Sequence, residues 1–262
     1  MNKAAASFLL FIIAATGYGQ PVQLAPPLLK YQSVFFKDSA IVEILFAEKN
    51  TEIHYHLEPG LSQKSDEVYK KPIVLKNQIS HLSANTTGKG FLSSGPATAT
   101  FIKDGLSFSV IKQTAPSQRF AANGLTTLND QRGGNTDLNA GTWLGYQADS
   151  VAIELQLEKK QELSYVLIHA LRDHDSWIFL PEQVGVFSFD ENGNEFIPVA
   201  MHASPLTNTS KDVSCIPVVI NLPEKIRTKK IKITLKPVQS IPEAHPGKGK
   251  PGWLFIDEIK LY

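Results

Sequence analysis

Short apolar runs that alternate with polar residues, or that are rich in β-branched side chains, recur along most of the chain. In the first half these runs cover residues 40–46, 51–57, 73–75, 79–84, 97–102 and 106–111, and in the second half residues 151–157, 163–171, 183–189, 231–236 and 253–262. A period of two places successive side chains on opposite faces of a strand. No window carries the 3.6-residue period of an amphipathic helix of three turns. The pattern therefore predicts an all-β protein.

Turn-forming residues between the runs predict how the strands are grouped. Lys103-Asp104-Gly105 separates two runs and predicts a hairpin, because Asp-Gly tolerates positive φ. The closely spaced short strands of the first half are typical of a small β-sandwich. Residues 113–145 are rich in Gly, Asn, Thr and Asp and show no period, which indicates a long ordered loop. The short Pro-containing stretch 114–117 predicts a boundary between a first domain, residues 20–113, and a second, residues 114–262.

The first residues have the features of a secretory signal. Lys3 precedes an apolar run from Ala4 to Ala15, and Gly17 and Gly19 place small residues before a cleavage point. The run is shorter than the roughly 20 apolar residues that span a membrane. We therefore expect residues 1–19 to be a signal peptide, and the protein to be secreted or held in the periplasm or cell envelope without membrane insertion.

Composition and motifs exclude several classes of function. With 26 Lys and Arg against 25 Asp and Glu, the chain lacks the basic surface that nucleic-acid binding needs. Its one cysteine, Cys215, cannot form an internal disulfide, and its position at the head of an apolar run predicts burial rather than a nucleophilic role. No nucleophile elbow, HExxH, P-loop or dinucleotide-binding motif is present. We therefore expect a protein that is not an enzyme.

Both halves resemble accessory modules of bacterial β-hexosaminidases and chitobiases. Over residues 28–105, Ile53-His54-Tyr55-His56-Leu57, Ser65, Tyr69, Lys71-Pro72-Ile73 and Ser83-Ala84 resemble the fibronectin-III-like chitobiase C-terminal domain. Over residues 115–262, six ordered segments resemble a discoidin-type (coagulation-factor C-type, galactose-binding-like) domain: Asn123-Gly124-Leu125, Asn129-Asp130, Arg132-Gly133, Trp143-Leu144-Gly145-Tyr146, residues 176–181 and residues 251–259. The resemblance implies a fibronectin-III or immunoglobulin-like sandwich followed by a jelly-roll sandwich. The sequence has no room for the catalytic barrel of ~250 residues that precedes these modules in the enzymes.

The discoidin-type resemblance also implies a structural calcium ion. In such modules an aspartate in the loop after the first strand and a glutamate near the C-terminus act as ligands, and the matching residues are Asp130 and Glu258. Calcium takes about six to eight oxygen ligands, and Gly133-Gly134 allows carbonyls to turn inward. The alternative is that Asp130 caps the turn and Glu258 pairs with a lysine.

A sugar site is expected in the polar stretch that ends at Trp177. An exposed aromatic ring is a common platform for a sugar, and Arg172, His174 and Asp175 beside it offer hydrogen-bond donors and acceptors. Tyr146 is a second candidate ring. The alternative for Trp177 is a buried anchor, as we expect for Trp143 and Trp253, which lie beside apolar runs.

These residues predict an exported, non-catalytic carbohydrate-binding or adhesion protein of the cell envelope. The expected ligand is a neutral glycan containing a hexose or an N-acetylhexosamine, and a separate glycosidase is a candidate partner. The alternatives are a structural or protein-interaction module without a sugar site and, third, a glycoside hydrolase.

Overall fold

The computed structural model describes residues 21–59, 67–203 and 212–262. Within these ranges the regular structure is almost entirely β-strand, with three short 3-10 helices. The all-β prediction is confirmed. The predicted signal peptide, residues 1–19, lies outside the described residues. None of the helices in the described ranges has the length and apolar character needed to cross a membrane.

The first half forms a sandwich of two sheets. Its strands are β1 (Leu28–Lys30), β2 (Phe35–Phe36), β3 (Ala40–Leu45), β4 (Thr51–Pro59), β5 (Glu67–Val68), β6 (Ile73–Leu75), β7 (Ile79–Gly88) and β8 (Ala97–Lys103). One sheet has the order β1-β3-β6 and the other β2-β8-β7-β4-β5, with only the β2-β8 pair parallel. Buried side chains from both sheets, among them Val42, Ile44, Leu82 and Phe101, form one core. Alternate residues of β7 are buried, as the period of two requires.

The second half is built on two long strands. Its strands are β9 (Phe108–Gln113), β10 (Leu144–Tyr146), β11 (Val151–Arg172), β12 (Gln183–Asp190), β13 (Glu195–Ala203), β14 (Ser214–Lys236) and β15 (Leu254–Leu261), and its 3-10 helices are Gln118–Phe120, Gly124–Asn129 and His174–Ser176. The sheet order is β10-β15-β11-β14-β12-β13, and β9 also pairs with β11. The register of β11 against β14 shifts after Gln156 and again after Leu163, and such irregularities bend a strand. Side chains from either side of the bend, such as Ile153 and Ile168, share one core.

The hairpin predicted at residues 103–105 is wrong. β8 pairs with β7 and β2, whereas β9 pairs with β11 of the second half. The chain crosses between the sandwiches here. Just after the crossing, the backbone N–H of Leu106 donates to the carbonyl of Leu261, the last residue of β15, at 2.8 Å. A Cβ on Gly105 would lie 2.2 Å from that carbonyl oxygen, so this close approach requires glycine. Strand pairing thus joins β9 to the second half, whereas the boundary predicted at residues 113 and 114 places β9 in the first domain.

The two sandwiches pack directly against each other. Leu167 of β11 is fully buried in the core of the first sandwich. Phe35 of β2 meets the ring of His169 edge-on, with 5.1 Å between the centroids. The Tyr165 hydroxyl lies 2.9 Å from Oε1 of Gln78 and donates a hydrogen bond to it. These contacts place polar residues of β11 and β15 at the junction.

Candidate functional site

Trp177 stands on a tight turn after β11, where a cap fixes its position. The Asp173 side chain accepts a hydrogen bond from the backbone N–H of Ser176, and the Trp177 N–H donates to the carbonyl of His174 at 2.9 Å. Trp177 closes the turn with φ 64°, in the left-handed region that a bulky residue rarely adopts. The residue nevertheless remains 37% exposed. The turn therefore holds a large aromatic ring at the surface in a defined orientation.

The loop before β15 supports this ring. A Cβ on Gly247 would lie 2.9 Å from the Trp177 ring, so the glycine lets the loop backbone pack closely against the indole. The Gly247 N–H donates to Nδ1 of His245 at 3.0 Å, so Nε2 of His245 carries the ring hydrogen and donates it to the carbonyl of His174 at 2.8 Å. The rings of Trp177 and His245 meet edge-on, 6.5 Å apart. Two segments distant in sequence thus build one site.

Two polar residues share the turn that carries Trp177. The His174 ring stacks on Phe179, with centroids 4.8 Å apart. Burial lowers the pKa of His174 and the nearby charge of Arg172 lowers it further, while the carboxylates of Asp173 and Asp175 counteract part of the fall. The His174 ring is therefore neutral at pH 7 and offers a donor and an acceptor. Asp175, in the same turn, is exposed.

Two of the residues predicted for sugar binding lie elsewhere. Tyr146 is 1% exposed in the core of the second sandwich, so it cannot present its ring to a ligand, and that expectation is corrected. Arg172 is 8% exposed and lines a cleft between the sandwiches, where its Nη2 donates to Oγ of Ser214 at 2.8 Å. Trp177 does not line that cleft. His174, Asp175 and Trp177 share the turn after β11.

The other tryptophans lie inside the fold. Trp143 is 1% exposed, as predicted, and stacks on His169 with 6.1 Å between the ring centroids. Trp253 is half-buried and meets Phe120 edge-on at 5.5 Å. Its backbone N–H donates to the carbonyl of Trp177, which ties β15 to the exposed turn.

A bulge in β15 places two consecutive carboxylates on one side of the strand. His169 pairs with Glu258 and the next residue of β11 pairs with Ile256, so Asp257 is the extra residue. Ile256 and Ile259 point into the core of the second sandwich, while Asp257 and Glu258 are fully buried at the junction. Nδ1 of His169 lies 2.6 Å from Oδ1 of Asp257.

Glu258 contacts a backbone N–H group and an ammonium group. Its Oε1 accepts the backbone N–H of Gln131, and Nζ of Lys260 lies 3.0 Å from its Oε2, an ion pair without hydrogen-bond geometry. Lys260 also lies 2.9 Å from Oδ1 of Asp104, on the connection between the sandwiches. Burial raises the pKa of Glu258 to about 8, although the ammonium of Lys260 counteracts the rise.

The contacts of Asp130 and Glu258 match the alternative to a calcium site. Asp130 accepts the backbone N–H of Arg132 at 2.9 Å and the side-chain amide of Asn123 at 3.1 Å. Within the described parts of the chain, no three His, Cys, Asp or Glu side chains are grouped to hold a metal ion. Calcium requires about six to eight oxygens, and the ammonium of Lys260 already lies against Glu258. The residues as placed do not fit the ion, and the calcium site stays a prediction.

Sequence reasoning missed the contribution of His245 and Gly247. The segment Pro242 to Pro251 carries three prolines and two glycines, a composition that signals a tight loop. Nothing in that composition indicates that the loop packs on a turn that lies far away in the sequence.

Comparisons with known proteins identify no family for this chain. No protein-family model and no curated protein matches it. Similar solved structures include the family 32 carbohydrate-binding module of Streptococcus pneumoniae EndoD, at 12% identity and TM-score 0.36, which covers 60% of this chain and 96% of that one. The C-terminal domain of a chitobiase from Bacteroides fragilis has 12% identity and TM-score 0.37, covering 59% and 92%. A GH29 fucosidase from Ruminococcus gnavus in complex with fucose has 13% identity and TM-score 0.36, covering 60% of this chain and 25% of the enzyme. Similarity at this level assigns no function.

Proposed function

We propose that this protein is a non-catalytic carbohydrate-binding module that binds a neutral hexose or N-acetylhexosamine at Trp177. The observation that carries the proposal is the exposed and fixed ring of this residue. An aromatic face packs against the C–H face of a sugar, while His174 and Asp175 can hydrogen-bond its hydroxyls. The neutral state of His174 suits a neutral ligand, because the imidazole then both donates and accepts.

The backbone of Trp177 supports a binding role over a purely structural one. A bulky residue at φ 64° stores strain on the order of 1–3 kcal/mol, and such strain persists only where the surroundings enforce it. Here the Asp173 cap and the packing of Gly247 against the indole enforce it. A buried anchor would offset this strain by burying the ring, but Trp177 remains 37% exposed.

The proposal includes no catalytic step. Burial raises the pKa of the Cys215 thiol to about 12, and the charge of Asp257 adds to the rise, so the thiol stays protonated at neutral pH. We further propose that the protein is exported and acts at the cell envelope, with a separate glycosidase as a candidate partner. A structural or protein-interaction module remains the alternative if no sugar binds.

The test compares sugar binding by the parent, Trp177→Ala and Trp177→Phe. A sugar held by one ring and two or three hydrogen bonds binds near millimolar affinity, or about 4 kcal/mol. We therefore expect Trp177→Ala to lose detectable binding of N-acetylhexosamine and hexose oligosaccharides in a glycan array and by calorimetry. Trp177→Phe should retain part of the binding. Thermal melting checks that both variants are folded.

Tyr31→Ala is the matched control, because Tyr31 is also an aromatic residue with 37% exposure but packs edge-on against Phe101 in the core of the first sandwich. It should bind neutral sugars like the parent. Folded Trp177→Ala that still binds them would place the sugar site elsewhere, and a parent that binds no neutral glycan would favour the interaction-module alternative. Turnover of a chromogenic N-acetylhexosaminide would instead indicate a hydrolase.

A further inference from the structure

Three phenylalanines lie on the outer face of the second sandwich, away from its core. Val184 and Val186 of β12 point into the core, so alternation turns Phe187 and Phe189 outward. Phe196 of the adjacent strand β13 contacts the ring of Phe189, with 5.2 Å between the centroids. Within the described ranges, none of these three rings belongs to a hydrophobic core. Core packing therefore does not account for this phenylalanine cluster.

Two lysines of the neighbouring strand β14 lie over the phenylalanine cluster. Nζ of Lys230 is 4.8 Å from the centroid of Phe189. Nζ of Lys232 is 4.9 Å from the centroids of both Phe187 and Phe196. An aromatic ring attracts an ammonium group to its face and restricts its position, but leaves its charge in place. The cluster thus holds two ammonium groups in defined positions at the surface.

A groove of about 430 Å³ extends from the phenylalanine cluster along the bend of the sheet. Phe189 and Lys230 line it together with Lys160, Arg227 and Lys229. The register of β11 against β14 shifts at this point, and two consecutive residues of β14, Lys229 and Lys230, both line the groove. The bend therefore gathers cations that strict alternation would place on opposite faces.

The carboxylates along this surface already have partners. Oε2 of Glu191 lies 2.8 Å from Nζ of Lys160, and Asp190 accepts two backbone N–H groups of its own turn, each at 3.1 Å. Glu154 of β11 lies opposite one of the two lysines of the cluster, but its carboxylate is 3.8 Å from Nζ of Lys112. Four cations of the groove and the cluster form no ion pair with a described residue: Arg227, Lys229, Lys230 and Lys232. We call these four residues the cationic face.

The cationic face suits a polymer that carries many negative charges. Exposed cations bind a single anion weakly, because water and salt screen them. A polyanion binds far better, since it contacts several cations at once and releases its condensed counterions. Residues 225–236 contain six basic residues, a density typical of stretches that bind polyanions.

The ring faces decide which polyanion fits. Nucleic-acid bases bind by stacking on open aromatic faces, but here ammonium groups lie over the rings. The net charge of +1 also lacks the broad basic surface of a nucleic-acid-binding protein. We propose that the cationic face binds a sulfated polysaccharide, whose sulfate groups pair with the four cations while the groove takes the sugar chain. This site is on a sheet face and is independent of the neutral-sugar site proposed at Trp177.

The test measures binding of dextran sulfate by calorimetry at several salt concentrations. We expect the parent to bind it more tightly than polyglutamate or single-stranded poly(dT) of matched charge, and an excess of uncharged dextran should not displace it. The double variant Lys230→Gln/Lys232→Gln should bind at least tenfold more weakly. It should also reduce the slope of log affinity against log salt by about 2, because each lysine that pairs with an anion contributes roughly one released counterion.

Phe196→Leu tests the role of the rings without changing any charge. It should weaken binding about threefold and leave the salt slope unaltered, because Lys232 loses a ring that restricts its position. Thermal melting checks that this variant and the double variant are folded.

Lys30→Gln/Lys248→Gln is the matched control, because both side chains are 62% exposed and form ion pairs elsewhere on the protein. It removes the same two charges and should bind dextran sulfate like the parent. Trp177→Ala should do so as well, so a failure of the neutral-sugar site would not affect this test. Equal losses in the two double variants would reveal attraction by net charge alone and would overturn the proposal. A parent that binds no dextran sulfate, or that prefers poly(dT) or polyglutamate, would also overturn it.

Discussion

Replacing Glu258 with glutamine should make the stability of the protein less dependent on pH. The carboxyl group is fully buried, and its pKa rises from the ordinary 4.5 to about 8, chiefly through burial. Between these two values the folded protein holds a proton that the unfolded chain has released. The free energy of unfolding of the parent therefore falls as pH rises from about 4.5 to about 8, and levels off above.

The size of the effect follows from the same two values. Each pKa unit corresponds to about 1.4 kcal/mol, so the rise sets an upper limit of about 5 kcal/mol at pH 9. The glutamine keeps an acceptor for the N–H of Gln131, and the attraction of Lys260 for the ionised carboxylate is already included in this limit. Relaxation of the surroundings around the ionised carboxylate keeps the real difference below the limit. We expect Glu258→Gln to be more stable than the parent by about 2 kcal/mol at pH 9, and nearly equal to it at pH 5.

Urea unfolding at pH 5, 7 and 9 measures this difference. Trp143, Trp177 and Trp253 all lie in the second sandwich, so tryptophan fluorescence follows the unfolding of the part that contains Glu258. The other titrating groups are common to both proteins and cancel in the difference between the two curves. A shift of about 2 kcal/mol corresponds to roughly 4–8 °C in melting temperature.

Glu162→Gln is the matched control. Glu162 is exposed, and its hydrogen bond with Lys225 lowers its pKa. The same chemical change there should leave the pH profile nearly unaltered, because solvent screens exposed ion pairs. A difference between Glu258→Gln and the parent that stays constant from pH 5 to pH 9, or a parent that is the more stable at pH 9, would refute the reasoning.

Two further predictions concern the same junction. Gly133→Ala should lower stability by about 2–4 kcal/mol in urea unfolding, since φ is +119° and an added Cβ would lie 2.2 Å from a carboxylate oxygen of Asp257. Gly90→Ala, with φ +86° and open space around it, is the control, and equal losses in the two variants would contradict the steric argument. Addition of a chelator should leave the melting temperature unchanged, because an ammonium group already lies against Glu258. A drop on chelation that disappears in Asp130→Ala would instead support the calcium site.

Local patterns were sufficient for the strands with clean alternation. Residues 151–157 and 231–236 alternate apolar and polar side chains, and the structure buries their apolar members on one face. Such a pattern depends only on neighbours along the chain, so it can be interpreted without the fold. The same reasoning predicted the burial of Trp143, which lies beside an apolar run, and pointed to Trp177, which follows a polar turn.

Other strands were not predicted, because their sequences contain residues that argue against a strand. β13 contains Pro198, and the first part of β14 contains Pro217 and Pro223. Proline lacks the N–H that a sheet requires and is not expected inside a strand. The Asp-Gly pair at residues 104–105 does not state which strands it joins. That choice was made by the pairing of β9 with β11.

By itself, the sequence determined the all-β class and the polar turn that carries His174, Asp175 and Trp177. Only the tertiary structure decided that Gly247 packs on that turn and that Arg172 lines the cleft between the sandwiches. Strict alternation would place Asp257 and Glu258 on opposite faces of β15, whereas the bulge opposite His169 buries both at the junction. The physical reason is that alternation is a property of one strand, while a bulge, a register shift or a domain contact depends on a partner far away in the sequence.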